Sequence, residues 1–495
     1  MSNKVTINRL ATGVPGLDEI LGGGLPEYSF NLIAGSPGCG KTTLAHQMMF
    51  ALATPERPAL YFTVLGEPPM KMLRYQQQFD FFDSELVNQS IRFVNLSDDT
   101  LAGDLDLVLE RIIAEVKKYE PKLVFVDSFR SVVLASMDEA HSHNALQRFM
   151  QELGMTMTSW QATTFLMGEY FNDADPNPIF TVADGLIWMR QCVQRNSMVR
   201  KMEVMKMRAQ PTVPGLHPFR ISDAGIRVFA PALAAVREPA DQGKTVSRLS
   251  MGVPKLDEML GGGLPRGYSM LVAGPSGSGK SILATSFLAE GARQGETGVI
   301  AAFEQHPNRS RGRELTKLIE SSRVGVINTS AADLSIEEVV YLLLQEVQRL
   351  GATRIVIDSL SGFELCLAPT FREDFRESLL RLVTALTASG ITVLMTSELE
   401  DRYTDLRFSP YGTAFLTDAI VVQRYIEVES RLRRMLAVVK VRASAHSDEL
   451  REYHIDQSGL QIGDILADQE GLLGGRPTKR KTGTTASIHT GAGDG

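Results

Sequence analysis

The 495-residue sequence has little cysteine and no long apolar run. Its three cysteines, Cys39, Cys192 and Cys366, are far apart and lack metal-ligand spacing, which argues against a disulfide framework or a zinc site. We expect three buried thiols. No run of about 18 apolar residues occurs, and the N-terminus lacks the basic and apolar pattern of a secretion signal, so we predict a cytoplasmic protein with no membrane contact.

Positive charge is also scarce. The chain has 51 Lys and Arg against 58 Asp and Glu, and its formal charge is −7. Because nonspecific nucleic-acid binding depends on basic side chains that neutralise phosphates, this balance argues against nucleic acid as a partner. The hydrophobic fraction of 43% is typical of folded protein. At about 150 residues per domain, the length predicts two or three domains.

A long internal repeat organises the chain. Leu10–Ala45 matches Leu249–Ala284 without a gap, at a constant offset of 239 residues (249 minus 10). A match of this length indicates duplication of a whole domain. We predict four segments: an N-terminal domain (1–230), a linker rich in Ala, Pro and charge (231–245), a C-terminal domain (246–467) and a flexible tail (468–495).

Each copy alternates apolar strand-like runs with amphipathic stretches, a pattern typical of a mainly parallel sheet flanked by helices. The predicted strands of the first copy are Phe30–Ala34, Ala59–Leu65, Ile91–Leu96, Leu123–Asp127 and Thr163–Met167. Those of the second copy are Met270–Ala273, Gly298–Phe303, Val324–Asn328, Arg354–Asp358 and Thr392–Thr396. Both copies end in alternating segments, which predict an antiparallel C-terminal extension of each sheet. The fold class is therefore α/β.

Each copy contains a complete P-loop, GSPGCGKT in the first and GPSGSGKS in the second. The glycines let backbone N–H groups turn toward phosphates, the lysine reaches the terminal phosphates, and the final hydroxyl ligates magnesium. The sequence thus predicts ATP and Mg²⁺ as cofactors. The predicted nucleotide-binding residues are Gly35, Ser36, Pro37, Gly38, Cys39, Gly40, Lys41, Thr42, Thr43, Gly274, Pro275, Ser276, Gly277, Ser278, Gly279, Lys280, Ser281 and Ile282.

An apolar strand that ends in aspartate follows each P-loop. KLVFVDS contains Asp127 and RIVIDS contains Asp358. Such strands supply a carboxylate beside the metal in P-loop enzymes. We predict four magnesium-associated residues: Thr42, Asp127, Ser281 and Asp358.

Hydrolysis also requires a group that orients or deprotonates the attacking water. In the second copy, AAFEQHP places Glu304 at the end of the strand after the P-loop helix. In the first copy, the aligned positions are Leu65 and Gly66, and Glu67 lies just beyond them. We predict Glu304 as the stronger catalytic candidate and Glu67 as a catalytic residue that requires a differently shaped loop.

These motifs resemble the KaiC-type RecA-like ATPases, from GVPGLDEILGGGLP through both P-loops to the closing LLGGRPT. The resemblance implies two tandem RecA-like P-loop NTPase domains, a two-tiered homo-hexamer with ATP between neighbouring subunits, and a nucleotide-driven conformational switch. A KaiB-like protein is an implied partner. A KaiA-like partner is not expected, because the tail diverges after Arg-Pro-Thr.

In that family, a Lys-x-Arg pair on a late strand reaches the nucleotide of the adjacent subunit. The matching residues are Lys206 with Arg208 and Lys440 with Arg442. The resemblance therefore implies catalytic cations supplied in trans, which would stabilise charge on the transferred phosphoryl group. A solvated face of an edge strand is the alternative reading of either pair.

Clock proteins of the family phosphorylate a Ser-Thr pair that precedes a Thr-Asp dipeptide. Here Ala414 and Phe415 precede Thr417-Asp418, and neither can accept phosphate. Serine/threonine autokinase activity is therefore doubtful. Three hydroxyl side chains remain nearby: Thr413, Ser409 and Thr417.

Two other functions fit parts of the sequence. A RecA-like DNA-dependent ATPase, recombinase or translocase would use the same P-loops, but the acidic charge opposes it. A nucleotide-occupied scaffold with little catalysis would fit the altered Leu65-Gly66 region of the first copy.

Overall fold

The computed structural model describes residues 7–64, 69–96, 105–128, 142–170, 178–194, 197–231, 247–303, 312–328, 334–372, 375–399, 416–428, 430–466, 469–470 and 478–479. The chain divides into two compact units, Met1–Pro231 and Ala232–Gly495.

The first unit contains eleven strands and six helices in its described part. The strands are β1 Arg9–Leu10, β2 Leu25–Pro26, β3 Phe30–Gly35, β4 Ala59–Thr63, β5 Ile91–Asn95, β6 Leu123–Asp127, β7 Thr163–Glu169, β8 Gly185–Gln194, β9 Ser197–Met207, β10 His217–Ser222 and β11 Gly225–Val228. The helices are α1 Leu17–Leu21, α2 Lys41–Leu52, α3 Pro69–Gln76, α4 Leu105–Tyr119, α5 Ser142–Ser159 and α6 Pro178–Val182.

A nine-stranded sheet in the order β11-β10-β9-β8-β3-β7-β6-β4-β5 forms the centre of the first unit. The strands from β8 to β5 pair in parallel, and β9, β10 and β11 add antiparallel strands at one edge. Every residue of β3 is buried because hydrophobic clusters cover both faces of the sheet. Helix α2 packs on one face, and α4 and α5 pack on the other.

The second unit repeats this arrangement. Its strands are β12 Arg248–Leu249, β13 Leu264–Pro265, β14 Ser269–Gly274, β15 Gly298–Ala302, β16 Val324–Asn328, β17 Arg354–Asp358, β18 Thr392–Glu398, β19 Ala419–Val428, β20 Arg431–Val441, β21 Arg451–Asp456, β22 Gly459–Ile465, β23 Gln469–Glu470 and β24 Thr478–Lys479. Its helices are α7 Pro254–Met259, α8 Lys280–Arg293, α9 Arg313–Glu320, α10 Ile336–Leu350, α11 Leu360–Cys366, α12 Pro369–Arg372 and α13 Phe375–Ala388.

The second nine-stranded sheet has the order β16-β15-β17-β18-β14-β19-β20-β21-β22, which is the order of the first sheet read from its other edge. The predicted fold class, with its parallel centre and antiparallel extension, is confirmed. Strands β7 and β18 each run two residues further than predicted, to Glu169 and Glu398. The domain bounds 1–230 and 246–467 stay a prediction, since nearly all of the predicted linker and tail lies outside the described residues.

The expectation of three buried thiols is wrong. Cys39 is buried, Cys366 is half-buried and Cys192 is exposed. Cys192 lies in β8 beyond Met189, the residue that pairs with the last residue of β3. That part of β8 extends past the core, so its side chains reach solvent. Among the described residues, no helix is both long and apolar enough to cross a membrane.

Candidate nucleotide sites

The first P-loop connects β3 to α2 at the carboxyl edge of the sheet. Gly38 and Gly40 adopt φ angles of 75° and 107°, which disfavour any residue with a Cβ. A Cβ on Gly40 would also lie 2.7 Å from the side chain of Ile221. Lys41 donates from Nζ to the carbonyl oxygens of Gly35 at 3.1 Å and Ser36 at 3.0 Å, so the side chain folds back over the loop.

The second P-loop has the same backbone form between β14 and α8. Gly277 and Gly279 adopt φ angles of 76° and 100°. Lys280 donates from Nζ to the carbonyl oxygens of Gly274 and Pro275, both at 2.9 Å. Each loop leads into a helix of 12 or 14 residues, whose N-terminal N–H groups favour bound anions.

The predicted metal-associated residues of the first unit come together. The Thr42 hydroxyl donates to Asp127 Oδ2 at 2.7 Å. The Tyr61 hydroxyl, which we did not predict, donates to the same oxygen at 2.8 Å. Burial raises the pKa of Asp127, and the hydrogen bonds from Thr42 and Tyr61 oppose that rise. A hydroxyl and a carboxylate beside the P-loop supply the oxygen ligands that Mg²⁺ prefers, so the residues fit this ion.

The second unit assembles the corresponding pair differently. Ser281 and Asp358 line the same cavity as Lys280. Asp358 Oδ1 accepts a hydrogen bond from the hydroxyl of Thr396 on β18. This set also offers a hydroxyl and a carboxylate to a hard cation.

The sequence did not lead us to predict one acidic residue in each cavity. Glu169 ends β7 beside Gly35, and Glu398 ends β18 beside Gly274. Each lines the cavity that contains the P-loop lysine. The negative charge of Glu169 contributes to raising the pKa of Asp127, after the larger effect of burial. The signal was present in the sequence as an acid at the end of the same strand in both copies, TTFLMGE and TVLMTSE.

The two predicted water-activating residues, Glu67 and Glu304, lie outside the described residues. The residues that precede each of these two loops belong to the described part of the structure. The backbone N–H of Val64 donates to the Asp127 carbonyl at 2.8 Å, and that of Phe303 donates to the Asp358 carbonyl at 3.2 Å. Both loops therefore start beside the aspartate of their own site.

The first Lys-Arg pair lies at the sheet edge opposite its own P-loop. Lys206 pairs in register with Leu186, close to the start of β8, and its Nζ donates to three carbonyls of the segment that enters that strand. Arg208 forms an ion pair with Asp184 at 2.9 Å. Since β8 runs parallel to β3, both cations lie at the amino end of β3, whereas the P-loop follows its carboxyl end.

The second pair repeats this placement. The Lys440 Nζ donates to the Thr417 carbonyl at 2.6 Å, and Arg442 forms an ion pair with Asp418 at 3.2 Å. The two pairs therefore lie at equivalent strand positions. Burial lowers the pKa of Lys206 and of Lys440, and the neighbouring arginine lowers it further.

The residues that replace the family's phosphosites, Ala414 and Phe415, lie outside the described residues, as do Thr413 and Ser409. Thr417 is described and is fully buried. Its hydroxyl is therefore shielded within this subunit.

The fold and these sites define the class of protein: it has two RecA-like P-loop NTPase domains in tandem. The sequence model of the KaiC ATPase family matches residues 10–232 and 249–467. The chain therefore belongs to the KaiC ATPase family.

Several circadian clock proteins match over almost the whole chain. It is 27% identical to the circadian clock oscillator protein KaiC 1 of Synechocystis sp., over 96% of this chain and 92% of that protein. It is also 27% identical to the circadian clock oscillator protein KaiC of Rippkaea orientalis, over 96% and 92%. The corresponding protein of Prochlorococcus marinus is 27% identical, over 95% of each chain. A RecA-like DNA-dependent ATPase is not favoured by these matches.

Proposed function

We propose that the protein is a Mg²⁺-dependent ATPase that works as a two-tiered hexamer, in which each ATP is shared between adjacent subunits and turnover drives a conformational switch. The observation that carries this proposal is the position of the Lys-Arg pairs. In both units they lie at the sheet edge opposite the P-loop of the same unit. The P-loops and their aspartates support nucleotide and metal binding at each site.

The sheet geometry supports action of each pair on the nucleotide of another subunit. The stretch of β3 from Phe30 to Gly35 corresponds to about 16 Å at the rise of a β-strand. Lys206 and Arg208 lie at the start of this stretch and contact the segment before β8. Cations at this edge can stabilise a transferred phosphoryl group only if another subunit presents its P-loop to them.

The residues of each site then have distinct tasks. Lys41 and Lys280 would contact the terminal phosphates, and Thr42 with Asp127 or Ser281 with Asp358 would hold the metal. Bound Mg²⁺ would neutralise part of the phosphate charge. Glu304 would orient the attacking water in the second unit. Glu67 would do so in the first unit if its loop turns the carboxylate toward the phosphate.

We further propose that serine/threonine autophosphorylation is not the output of this protein. Alanine and phenylalanine occupy the positions of the usual acceptor pair, and Thr417 is buried. Incubation with γ-labelled ATP and mapping of the label tests this. Reproducible label on Thr413 or Ser409 would contradict it. Binding of a KaiB-like protein to the first domain remains compatible with the proposal.

Mixing two inactive variants tests the shared sites. We would prepare Lys280→Ala and Arg442→Ala in a Glu67→Gln background, which keeps nucleotide in the first site and slows its turnover. Each variant alone should lose second-site hydrolysis, because one lacks the P-loop lysine and the other lacks the cation supplied in trans. Co-assembled rings should recover part of the activity at interfaces that combine the two intact faces.

Sizing the protein with magnesium and a nonhydrolysable ATP analogue provides the companion measurement. We expect a particle much larger than the 54.4 kDa chain. A strict monomer under all nucleotide conditions, or mixed rings with no recovered activity, would refute the shared-site arrangement.

A further inference from the structure

The carboxylate of Asp127 is held by two hydroxyl groups, and only one of them belongs to the P-loop. Thr42 and Tyr61 both donate to Oδ2, at 2.7 Å and 2.8 Å. Thr42 is explained by its predicted role as a metal ligand. Tyr61 is not part of any motif in the sequence, and its contact to Asp127 requires a separate explanation.

Tyr61 is placed rigidly. It lies in the middle of β4, and its side chain is fully buried. Its ring stacks on Phe125 with centroids 5.9 Å apart and meets the edge of His46 at 4.7 Å. Its backbone pairs with Phe125, two residues before Asp127, so the long phenol side chain reaches along the sheet to the carboxylate. This packing holds the ring of Tyr61 in place and therefore also sets the position of its hydroxyl group.

The second unit supplies the same kind of contact from the opposite side. The residue at the position of Tyr61 is Ile300, which has no hydroxyl. Thr396 on β18 donates to Asp358 instead, and the residue at the position of Thr396 in the first unit is Met167. In the described part of each unit, one buried hydroxyl outside the P-loop thus bonds to the aspartate. The neighbouring strand that provides it differs between the units.

We propose that Tyr61 is a positioning residue for the first site: its hydroxyl orients Asp127 toward the metal that accompanies the nucleotide, and Thr396 has the same task in the second site. This inference rests on the proposed nucleotide function. Tyr61 acts through Asp127 and contacts no phosphate itself.

The expected effect follows from the behaviour of residues that orient metal-binding carboxylates. Loss of such a partner weakens metal affinity by about 10- to 100-fold. Tyr61→Phe deletes the hydroxyl and keeps the ring, so the packing against Phe125 and His46 is preserved. Asp127 would keep Thr42 as its only hydroxyl partner among the described residues and would rotate more freely.

The test uses the full chain with Lys280→Ala, so that the first site alone binds nucleotide. The affinity for a fluorescent ATP analogue is measured once with Mn²⁺ present and once with EDTA present. Mn²⁺ binding is followed separately by electron paramagnetic resonance. Tyr61→Phe should weaken Mn²⁺ binding by about tenfold and leave metal-free nucleotide affinity unchanged. A general loss of structure would weaken both, so the split between the two measurements identifies a positioning role.

Thr164→Val is the matched control, because it removes a buried hydroxyl from β7 that, within the described part of the chain, donates to the Ala162 carbonyl and does not contact Asp127. It should not change Mn²⁺ binding. Adding Met167→Thr to Tyr61→Phe copies the arrangement of the second unit and should restore part of the affinity. In a Lys41→Ala chain, Thr396→Val should weaken Mn²⁺ binding at the second site by a similar factor.

The outcomes separate the two levels of the proposal. If the parental chain binds no nucleotide with or without metal, the proposed function fails. If nucleotide binds and Tyr61→Phe leaves Mn²⁺ affinity unchanged, the positioning role of Tyr61 is refuted. Equal losses with Mn²⁺ and with EDTA would also refute it, since they would show a structural role only.

Discussion

The two P-loops have the same backbone form but rest on different side chains. In the first unit, a Cβ on Gly35 would lie 2.9 Å from the Cys39 sulfur, beside the carbonyl of Met189. In the second, the equivalent neighbours are Ser278 and Gln423, and the Ser278 hydroxyl donates to the Gln423 side chain at 3.0 Å. A sulfur-rich apolar support and a hydrogen-bonded polar support therefore hold the same loop. The glycine backbone is the requirement, and its support is replaceable.

The two units also differ at a buried position at the start of β6 and of β17, away from the nucleotide sites. Arg354 opens β17 in the second unit, where the first unit has Leu123. Arg354 is fully buried, forms an ion pair with Glu296 at 2.7 Å and lies over the Phe287 ring at 4.7 Å. At this position the second unit thus has a buried ion pair where the first unit has an apolar side chain. This contrast predicts that the two units respond differently to substitution and to pH.

The largest expected effect concerns hydrolysis. Glu304→Gln should reduce ATP turnover of the second site by about 10²- to 10⁴-fold, because it removes the group that orients or deprotonates the attacking water. Single-site turnover is measured in a Lys41→Ala chain. Glu67→Gln in a Lys280→Ala chain is the counterpart and should have the smaller effect. If Glu67→Gln abolished turnover and Glu304→Gln left it intact, the ranking of the two sites would be reversed.

Arg354→Leu should destabilise the second unit by about 3 kcal/mol. The substitution removes one of the two arginines that pair with Glu296, since Arg266 remains, and leaves the carbonyls of Ser250 and Phe287 without their donor. Urea unfolding of the full chain measures the change. The control is Arg349→Leu, which breaks an ion pair whose arginine side chain is 61% exposed.

Exposed ion pairs contribute about 0–1 kcal/mol, so this control should change the unfolding midpoint little. Equal effects of the two arginine substitutions would show that burial does not distinguish them.

Acid should destabilise the first unit through His46. Burial lowers the pKa of His46 to about 4 from 6.5. Above pH 6.5 the ring is neutral in the folded and unfolded chains, so its contribution is constant. As the pH falls from 6.5 toward 4, the unfolded chain takes up a proton that the folded chain excludes, and about 3 kcal/mol of stability is lost.

Urea midpoints measured across this pH range test that prediction. His46→Met should flatten the pH dependence, since it keeps an apolar side chain of similar size. His454→Gln, at a histidine of the second unit whose side chain is 69% exposed, is the control substitution. A pH profile that is unaffected by His46→Met would disprove the assignment.

The smallest expected effect is on the second P-loop. Tyr453 donates from its hydroxyl to the Ser278 carbonyl at 2.6 Å, and Phe219 occupies the equivalent place in the first unit. Tyr453→Phe should cost about 1 kcal/mol and weaken nucleotide binding at the second site only a few-fold. Calorimetric titration in a Lys41→Ala chain measures this. A loss as large as that of Lys280→Ala would mean that the hydroxyl, and not the glycine backbone, holds the loop.

The sequence predicted the fold because its signals are local and occur twice. Apolar runs, P-loop glycines and strand-terminal aspartates each depend on residues close together in the chain, and each of these signals recurs in the second copy. It also indicated the antiparallel extension through alternating segments. It was wrong about Cys192, because exposure there depends on how far β8 extends past β3.

By itself, the sequence determined the two P-loops, their aspartates and the succession of strands and helices along the chain, since these follow from periodicity and short motifs. Only the tertiary structure decided which distant side chains complete each site. Tyr61 meets Asp127, and Glu169 and Glu398 enter the cavities, because neighbouring parallel strands end at one edge of the sheet. The Lys-Arg pairs lie at the other edge for the same reason, since an antiparallel strand returns its end to the opposite side.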